Sequence, residues 1–330
     1  MNRREFLTAG GALAAAGCVS VRTKSAEEIA FDEAVATIDA TTPFDEERRA
    51  PALAVLQKAI DDMGRKEPYL DFVDGGLRLS EAAVEAAHIA YPPLKWYDHA
   101  FEKVLRELKE TKVTGDVPAV WYLYNMGIVV KTKTCAFAVD VCHRQAERLV
   151  PLIDFALCSH NHDDHHTQRF LTAMQRAKKP VVSNFCLCWD WYFKGSEQEI
   201  KIKGVTIRCT ETDHNAHLKN AVMCFEILCG EGASPYVIFH SGDSHRAEQI
   251  KCRTPHADLF FGHCMIGFNF PKAYATTMPA KLVLPVHHQE LGHLGGPWRC
   301  VGFPECAGVV EGVRKAGARA ALLAWGDRVV

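Results

Sequence analysis

The feature that most constrains this chain is the run Ser159-His160-Asn161-His162-Asp163-Asp164-His165-His166, which gathers four imidazoles and two carboxylates in eight residues. The apolar stretch Ile153-Asp154-Phe155-Ala156-Leu157-Cys158 leads into it, and residues 169–177, with helical periodicity, lead out. The run therefore occupies a strand-to-helix turn. In extended backbone alternate side chains share a face, so His160 and His162 point to one side and can grip one cation. Asp164 and His165 follow as the chain curls and can face a neighbouring cation. A His-rich run can also be a surface tract or a solvated helix cap. Further His and Asp residues downstream, each at the end of an apolar strand, favour the metal reading, because a shared sheet edge would collect them.

The organisation of the 330 residues supports that picture. From about residue 26 to 112 the pattern is helical: Ala52, Leu53, Val55, Leu56 and Ile60 recur at helix spacing, as do Phe101, Val104, Leu105 and Leu108. Helix boundaries are expected at Pro51, at Gly64, at the start Ser80-Glu81-Ala82-Ala83 and at Pro92-Pro93. After Gly115 the character changes to short strand-like runs at 120–124, 127–131, 135–139, 155–158, 180–183, 205–211, 221–228, 236–240, 259–262, 282–286 and 320–324. Helical stretches fall at 167–178 and 305–316. Strands alternating with helices over some two hundred residues predict a layered α/β domain with helices outside two packed sheets.

The motif His-x-His-x-Asp-His after a strand resembles the signature of the metallo-β-lactamase superfamily, over roughly residues 117–330. The resemblance implies an α/β fold, the αββα sandwich of that superfamily, carrying a helical N-terminal extension. Together with the N-terminal motifs described below, the expected division of the chain is a signal peptide and lipobox (1–18), a tether (19–28), a helical region (29–114) and the metallo-β-lactamase-like domain (115–330). The resemblance also implies roles for further residues. Asp140 resembles the aspartate that braces the metal loop without ligating, His214 the third-motif histidine, Asp243 in Ser241-Gly242-Asp243 the carboxylate that bridges two metals, and His287 the last histidine. One cation would then take His160, His162 and His214, the other Asp164, His165 and His287, with Asp243 and a water shared between them. His217 rivals His214 and His288 rivals His287, since each pair lies within a few residues.

Imidazole and carboxylate ligation without thiolate suits zinc first, and iron or manganese would also accept it. A water between two divalent cations has its pKa lowered towards neutrality. Asp164 and Asp243 are the expected catalytic carboxylates, orienting that water and relaying its proton. These expectations describe a hydrolase of esters, lactones or phosphodiesters acting on a small-molecule or lipid substrate. The alternatives are a nuclease of the same fold and a non-catalytic metal-binding envelope lipoprotein. With 38 basic against 40 acidic residues there is no broad cationic field for a phosphate backbone, so nucleic acid is not expected as a partner. Trp189, Trp191, His263, His293 and Trp298 are candidates for pocket walls.

The first residues read as an address: Arg3-Arg4-Glu5-Phe6-Leu7 is a twin-arginine pattern, followed by a short run rich in Ala and Gly. That run ends in Leu13-Ala14-Ala15-Ala16-Gly17-Cys18, which resembles a bacterial lipoprotein box with Cys18 as the lipidated residue. The expected location is periplasmic or cell-surface, with membrane attachment through that lipid. Of thirteen cysteines, Cys135, Cys158, Cys209, Cys224 and Cys229 fall in apolar runs, where a thiol serves as a small buried hydrophobe rather than part of a disulfide framework. A Cys18→Ser variant is expected to move from the membrane to the soluble fraction on cell fractionation; unchanged partitioning would refute the anchor.

Overall fold

The computed structural model describes residues 22–64, 67–186, 198–264, 279–293 and 301–330. The leader motifs with Arg3, Arg4 and Cys18 lie outside them, as do Trp189, Trp191 and Trp298.

Before the first strand come helices α1 (Ala26–Asp39), α2 (Glu46–Met63), α3 (Glu67–Gly75), α4 (Glu81–Ala90) and α5 (Pro92–Glu110). Their ends follow local chemistry. Ser25 and Glu28 cap α1 reciprocally. Ser80 caps α4 by accepting from Ala83 N–H. Gly64 closes α2 in the left-handed region, and Pro92 opens α5 where no helical N–H is needed. The expected break at Pro51 does not occur, because Pro51 lies inside α2. It sits near the start of the helix, where the carbonyl it deprives belongs to Glu47, an exposed residue.

The strands form two sheets. The first runs β1 (Ala119–Tyr122), β2 (Ile128–Lys131), β3 (Ala136–Val139), β4 (Phe155–Leu157) and β5 (Val181–Val182), in that spatial order. The second comprises β6 (Gln198–Ile202), β7 (Val205–Thr212), β8 (Val222–Cys229), β9 (Tyr236–His240), β10 (Ala257–His263) and β11 (Ala280–Val286), ordered from β11 at one edge to β6 at the other. Helix α6 (Gln168–Arg176) follows β4, and α7 (Phe303–Lys315) packs on β11.

Alternation along the second sheet separates its two faces. Phe225, Ile227, Ile238, Leu259, Phe261, Leu282 and Leu284 join the core shared with the first sheet. Cys224, Leu228, Val237, Phe239, Phe260 and Val283 face the opposite way and pack with Val310 and Val313 of α7. The first sheet shares its core with the N-terminal helices, including Phe31, Leu56, Phe72, Trp96, Phe101 and Leu105. The result is a helix, sheet, sheet, helix layering. Burial of these apolar faces is the main stabilising term, at roughly 25 cal/mol per Å² removed from water.

The run at 320–324 is not a strand. Ala320 makes one bridge to Val283 beside β11, whereas Gly326, Asp327 and Val329 hydrogen-bond the backbone of Tyr122 and Val120 at β1. The segment crosses between the two sheets and so changes partners midway; its apolar composition reflects Ala321, Leu323, Ala324 and Trp325, all buried. Strand β6 carries charges and lies at a sheet edge, which hid it from an apolar-run reading. The ten described cysteines are free and, apart from half-buried Cys252, buried, the five expected ones among them.

One ion pair ties the helical layer to this crossing segment. Arg49 of α2 donates to both oxygens of Asp327, at 3.2 and 2.7 Å, with both side chains 2% exposed. Trp96 stacks on Trp325 beside them, ring centroids 4.2 Å apart. Removing one partner strands a buried charge. An Arg49→Ala variant should lose about 3–5 kcal/mol of unfolding free energy in urea titration, whereas a loss below 1 kcal/mol would show the pair to be dispensable.

Candidate metal centre

Strands β3 and β4 are parallel, as are β9, β10 and β11, and β7 and β9 both run antiparallel to β8. Within each sheet these strands therefore end at one edge, and the two edges meet where Met223 N–H donates to Ser159 O at 2.8 Å. Asp140 follows β3, the His160 loop follows β4, His214 follows β7, Asp243 follows β9, His263 ends β10 and His287 follows β11. Loops at strand ends can hold polar groups that the sheet interior cannot.

The structure brings these donors into two clusters. His160, His162, His214 and Asp243 offer ligand atoms within 4.8 Å of one another, and so do Asp164, His165, Asp243 and His287. In the first cluster, His160 Nε2 and His214 Nε2 each lie 3.6 Å from Asp243 Oδ2, and His162 Nδ1 is 2.9 Å from His160 Nε2. In the second, His165 Nε2 is 3.1 Å from Asp243 Oδ1, while His287 Nε2 is 3.2 Å from Asp164 Oδ2 and 3.1 Å from Asp243 Oδ2. Donors about 2.0–2.1 Å from a tetrahedral zinc stand about 3.3 Å apart. The observed spacings bracket that value.

Of the two rival pairs, the His214 and His287 rings enter the clusters. His217 is exposed. His288 points away from the centre into an aromatic pocket, tilted against Tyr122 and Phe303, and burial pushes its imidazole down to about 3. His287 and His288 diverge because His287 adopts φ 64°.

Electrostatics support cation binding. Asp243 is 3% and Asp164 8% exposed, and among the described residues neither pairs with a lysine or arginine. Burial alone would protonate them, but His165 and His287 outweigh it and hold both carboxyls below their usual range. Burial also keeps His160 neutral, its pKa held well below the ordinary imidazole value. Buried His165 Nε2 and Asp243 Oδ1 make no hydrogen bond. Asp243, Asp164 and Asp140 outweigh burial at His165 and raise its imidazole well above the ordinary value, a positive charge that a bound cation would replace. Ionised carboxylates, a neutral His160 and unsatisfied buried atoms fit a pair of divalent cations.

Outer partners fix the donors. Asp140 Oδ1 accepts from Ser159 N–H at 2.7 Å, and its Oδ2 accepts from Ser159 Oγ–H at 2.6 Å and lies 2.9 Å from His165 Nδ1. That bond leaves His165 Nε2 aimed at the second cluster. Asn125 Nδ2 donates to Asp164 Oδ2 at 2.9 Å and to Asp164 O at 3.2 Å. A Cβ on Gly242 would lie 2.7 Å from Val222 Cγ1 and 2.8 Å from Ser159 Cβ, and its φ is 49°, so only glycine lets Asp243 approach.

The roles of Asn125, Ser159, His245 and Glu290 escaped the sequence reading. Asn125 at φ 56° carried a turn signal in Tyr124-Asn125-Met126-Gly127, but nothing marked its side chain as a partner of Asp164. Burial followed by repulsion from His214 pushes His245 down to about 4, and its ring lies 4.9 Å from that of buried His263.

No family model matches the chain, and no curated protein matches it in sequence. Solved structures do. Igni18, a metallo hydrolase from the hyperthermophilic archaeon Ignicoccus hospitalis, superposes with TM-score 0.50 at 16% identity, covering 64% of this chain and 97% of that one. A possible metal-dependent hydrolase from Veillonella parvula gives TM-score 0.48 at 13% identity, over 64% and 98% of the two chains. A candidate zinc-dependent hydrolase of the metallo-β-lactamase superfamily from Thermotoga maritima gives 0.32 at 15%, over 52% and 76%. The likeness to Igni18 shows the fold.

Asp140→Asn is expected to weaken metal affinity about 10- to 100-fold, read by competition with a chromogenic chelator. Burial opposes the Asp140 charge, but His165, His240 and Ser159 outweigh it and depress the folded-state pKa. The stability from these contacts is therefore present above the unfolded carboxylate value of about 4 and is lost as pH falls through the lower folded value. Acid unfolding of Asp140→Asn should accordingly be less steep than that of the unsubstituted protein.

Proposed function

We propose that this chain is a metal-dependent hydrolase of the metallo-β-lactamase type, cleaving an ester, lactone or phosphodiester with a water positioned between two cations. The observation that carries the reading is Asp243, whose Oδ2 faces His160 and His214 of the first cluster and whose Oδ1 faces His165 of the second. A closed structural site needs only four ligands around one ion, and seven donors sharing one carboxylate exceed that requirement.

His160, His162 and His214 with Asp243 would hold one cation, and Asp164, His165 and His287 with Asp243 the other; zinc suits this donor set first, with iron or manganese acceptable. Bound there, the cations would lower the pKa of a shared water towards neutrality and polarise the bond under attack. Asp164, held by Asn125, and Asp243, which follows Gly242, would orient that water and accept its proton for transfer to the leaving group. Asp140 keeps His165 in the tautomer whose Nε2 faces inward.

The twin-arginine pattern and Cys18 support export and lipid anchoring in the bacterial envelope, where a small-molecule or lipid substrate is the fitting partner. The near-balanced charge supports neither a nucleic-acid substrate nor a nuclease reading.

Elemental analysis of the purified protein should find about two metals per chain, alongside hydrolysis of at least one compound in an ester, lactone and phosphodiester panel. His162→Ala and Asp243→Ala should each lower kcat/KM by at least about a hundredfold and reduce metal content. Fewer than one metal per chain, with neither substitution altering turnover, would overturn the catalytic reading.

A further inference from the structure

A third group of polar side chains stands at the rim of the second cluster and belongs to neither set of donors. Glu290 and His293 have ligand atoms within 4.8 Å of one another and of Asp164. Glu290 is completely buried. Its Oε1 accepts from Tyr124 O–H at 3.0 Å and from Gly292 N–H at 2.6 Å, while Oε2 lies 2.5 Å from His293 Nδ1. The His293 side chain is 46% exposed.

The local backbone is shaped for this contact. His287 and Gln289, at φ 64° and 58°, turn the chain after β11, and Leu291–His293 forms a single 3₁₀ turn. A Cβ on Gly292 would lie 2.5 Å from Glu290 Oε1, so the turn closes over the carboxylate only with glycine. Tyr124 both donates to Glu290 and accepts from Leu291 N–H at 2.7 Å, and its neighbour Asn125 holds Asp164. One loop therefore fixes Glu290 and a metal-cluster carboxylate together.

A surface histidine needs no such support. Burying a carboxylate is costly unless its hydrogen bonds serve it fully, and here one oxygen is committed to seating a half-exposed imidazole. Asp140 and His165 show the same arrangement: a buried carboxylate takes Nδ1 and frees Nε2 for work. For His293 the freed Nε2 belongs to a side chain at the open rim. Direct metal ligation by this trio is the weaker reading, because Glu290 already receives three donors and Asp164 already serves the second cluster.

We propose that His293, seated by Glu290, binds substrate as an imidazolium: Nδ1–H donates to Glu290 Oε2, and Nε2–H donates to an oxygen of the ester or phosphoryl group lying across the second cluster. This rests on the hydrolase reading above. His293 is thus a substrate-binding residue, and Glu290 a positioning residue acting through it.

The test uses the full-length, metal-loaded protein with inorganic phosphate as the probe, followed by calorimetry, with metal content and thermal midpoint measured on the same samples. His293→Ala should weaken phosphate binding at least tenfold, with metal content and thermal midpoint unchanged. His293→Gln, which restores an N–H donor, should recover most of the affinity. Glu290→Gln should fall between wild type and His293→Ala. Equal affinity in wild type and His293→Ala would overturn the proposal, as would a wild type that binds no phosphate, a His293→Gln variant that recovers no affinity, or loss of a cation in His293→Ala. His162→Ala separates the two readings: if it loses metal and turnover while His293→Ala changes nothing, only the substrate-binding role fails. Metal-free wild type would instead sink the hydrolase reading.

Discussion

The centre depends on one buried carboxylate. Asp140 has no place in either donor cluster, yet it holds the Ser159 backbone and hydroxyl and sets the orientation of His165. Three bonds to a single side chain fix the start of the His-rich loop and its last cluster histidine, six residues apart. Asp140 itself takes φ 47°, an unusual conformation for a residue with a side chain. That conformation persists because β3 leads into it, and because Asp140 N–H donates to Leu157 O at the end of β4. The hydrogen bonds offset a backbone cost on the order of 1 kcal/mol.

The same economy recurs around the rim. Asn125, His287 and Gln289 also have positive φ, and each lies at or next to a residue that bounds the centre. His287 N–H donates to Asn125 O at 3.0 Å, joining the loop after β1 to the loop after β11 across the two sheets. Strained positions concentrated at one sheet edge are what a site held to a fixed geometry requires. The rest of the molecule supplies the rigidity that keeps them there.

Much of that rigidity comes from the helical layer. Tyr97 and Phe101 of α5 lie against His143, with ring centroids 4.1 and 3.9 Å away, and Tyr97 O–H donates to Cys142 O. Asp98 pairs with Arg144 in the same loop, which follows Asp140. Tyr69 and Tyr97 both pack against Tyr124, whose hydroxyl reaches Glu290. The helices thus brace the loops after β1 and β3 from behind, and the Arg49 and Asp327 pair extends the bracing to the crossing segment.

The sequence by itself determined the chemistry of the donors and the order in which they arrive. His160, His162, Asp164 and His165 were legible because they are adjacent in the chain, and short-range spacing is enough to place them on one turn. The helix start at Ser80 and the strands of the second sheet other than β6 were legible for the same reason, since each is set by nearest neighbours. Tertiary structure alone decided which of His287 and His288 faces inward, because that depends on one residue's φ and on the aromatic pocket formed by Tyr122 and Phe303. It also decided that Asn125 serves Asp164, that Glu290 is buried beneath His293, and that residues 320–324 cross between sheets instead of joining one. Asn125 and Asp164, Glu290 and Tyr124, and the crossing segment and β1 are separated by tens to hundreds of residues, and no local pattern encodes such contacts: the partner becomes available only when the two sheet edges meet.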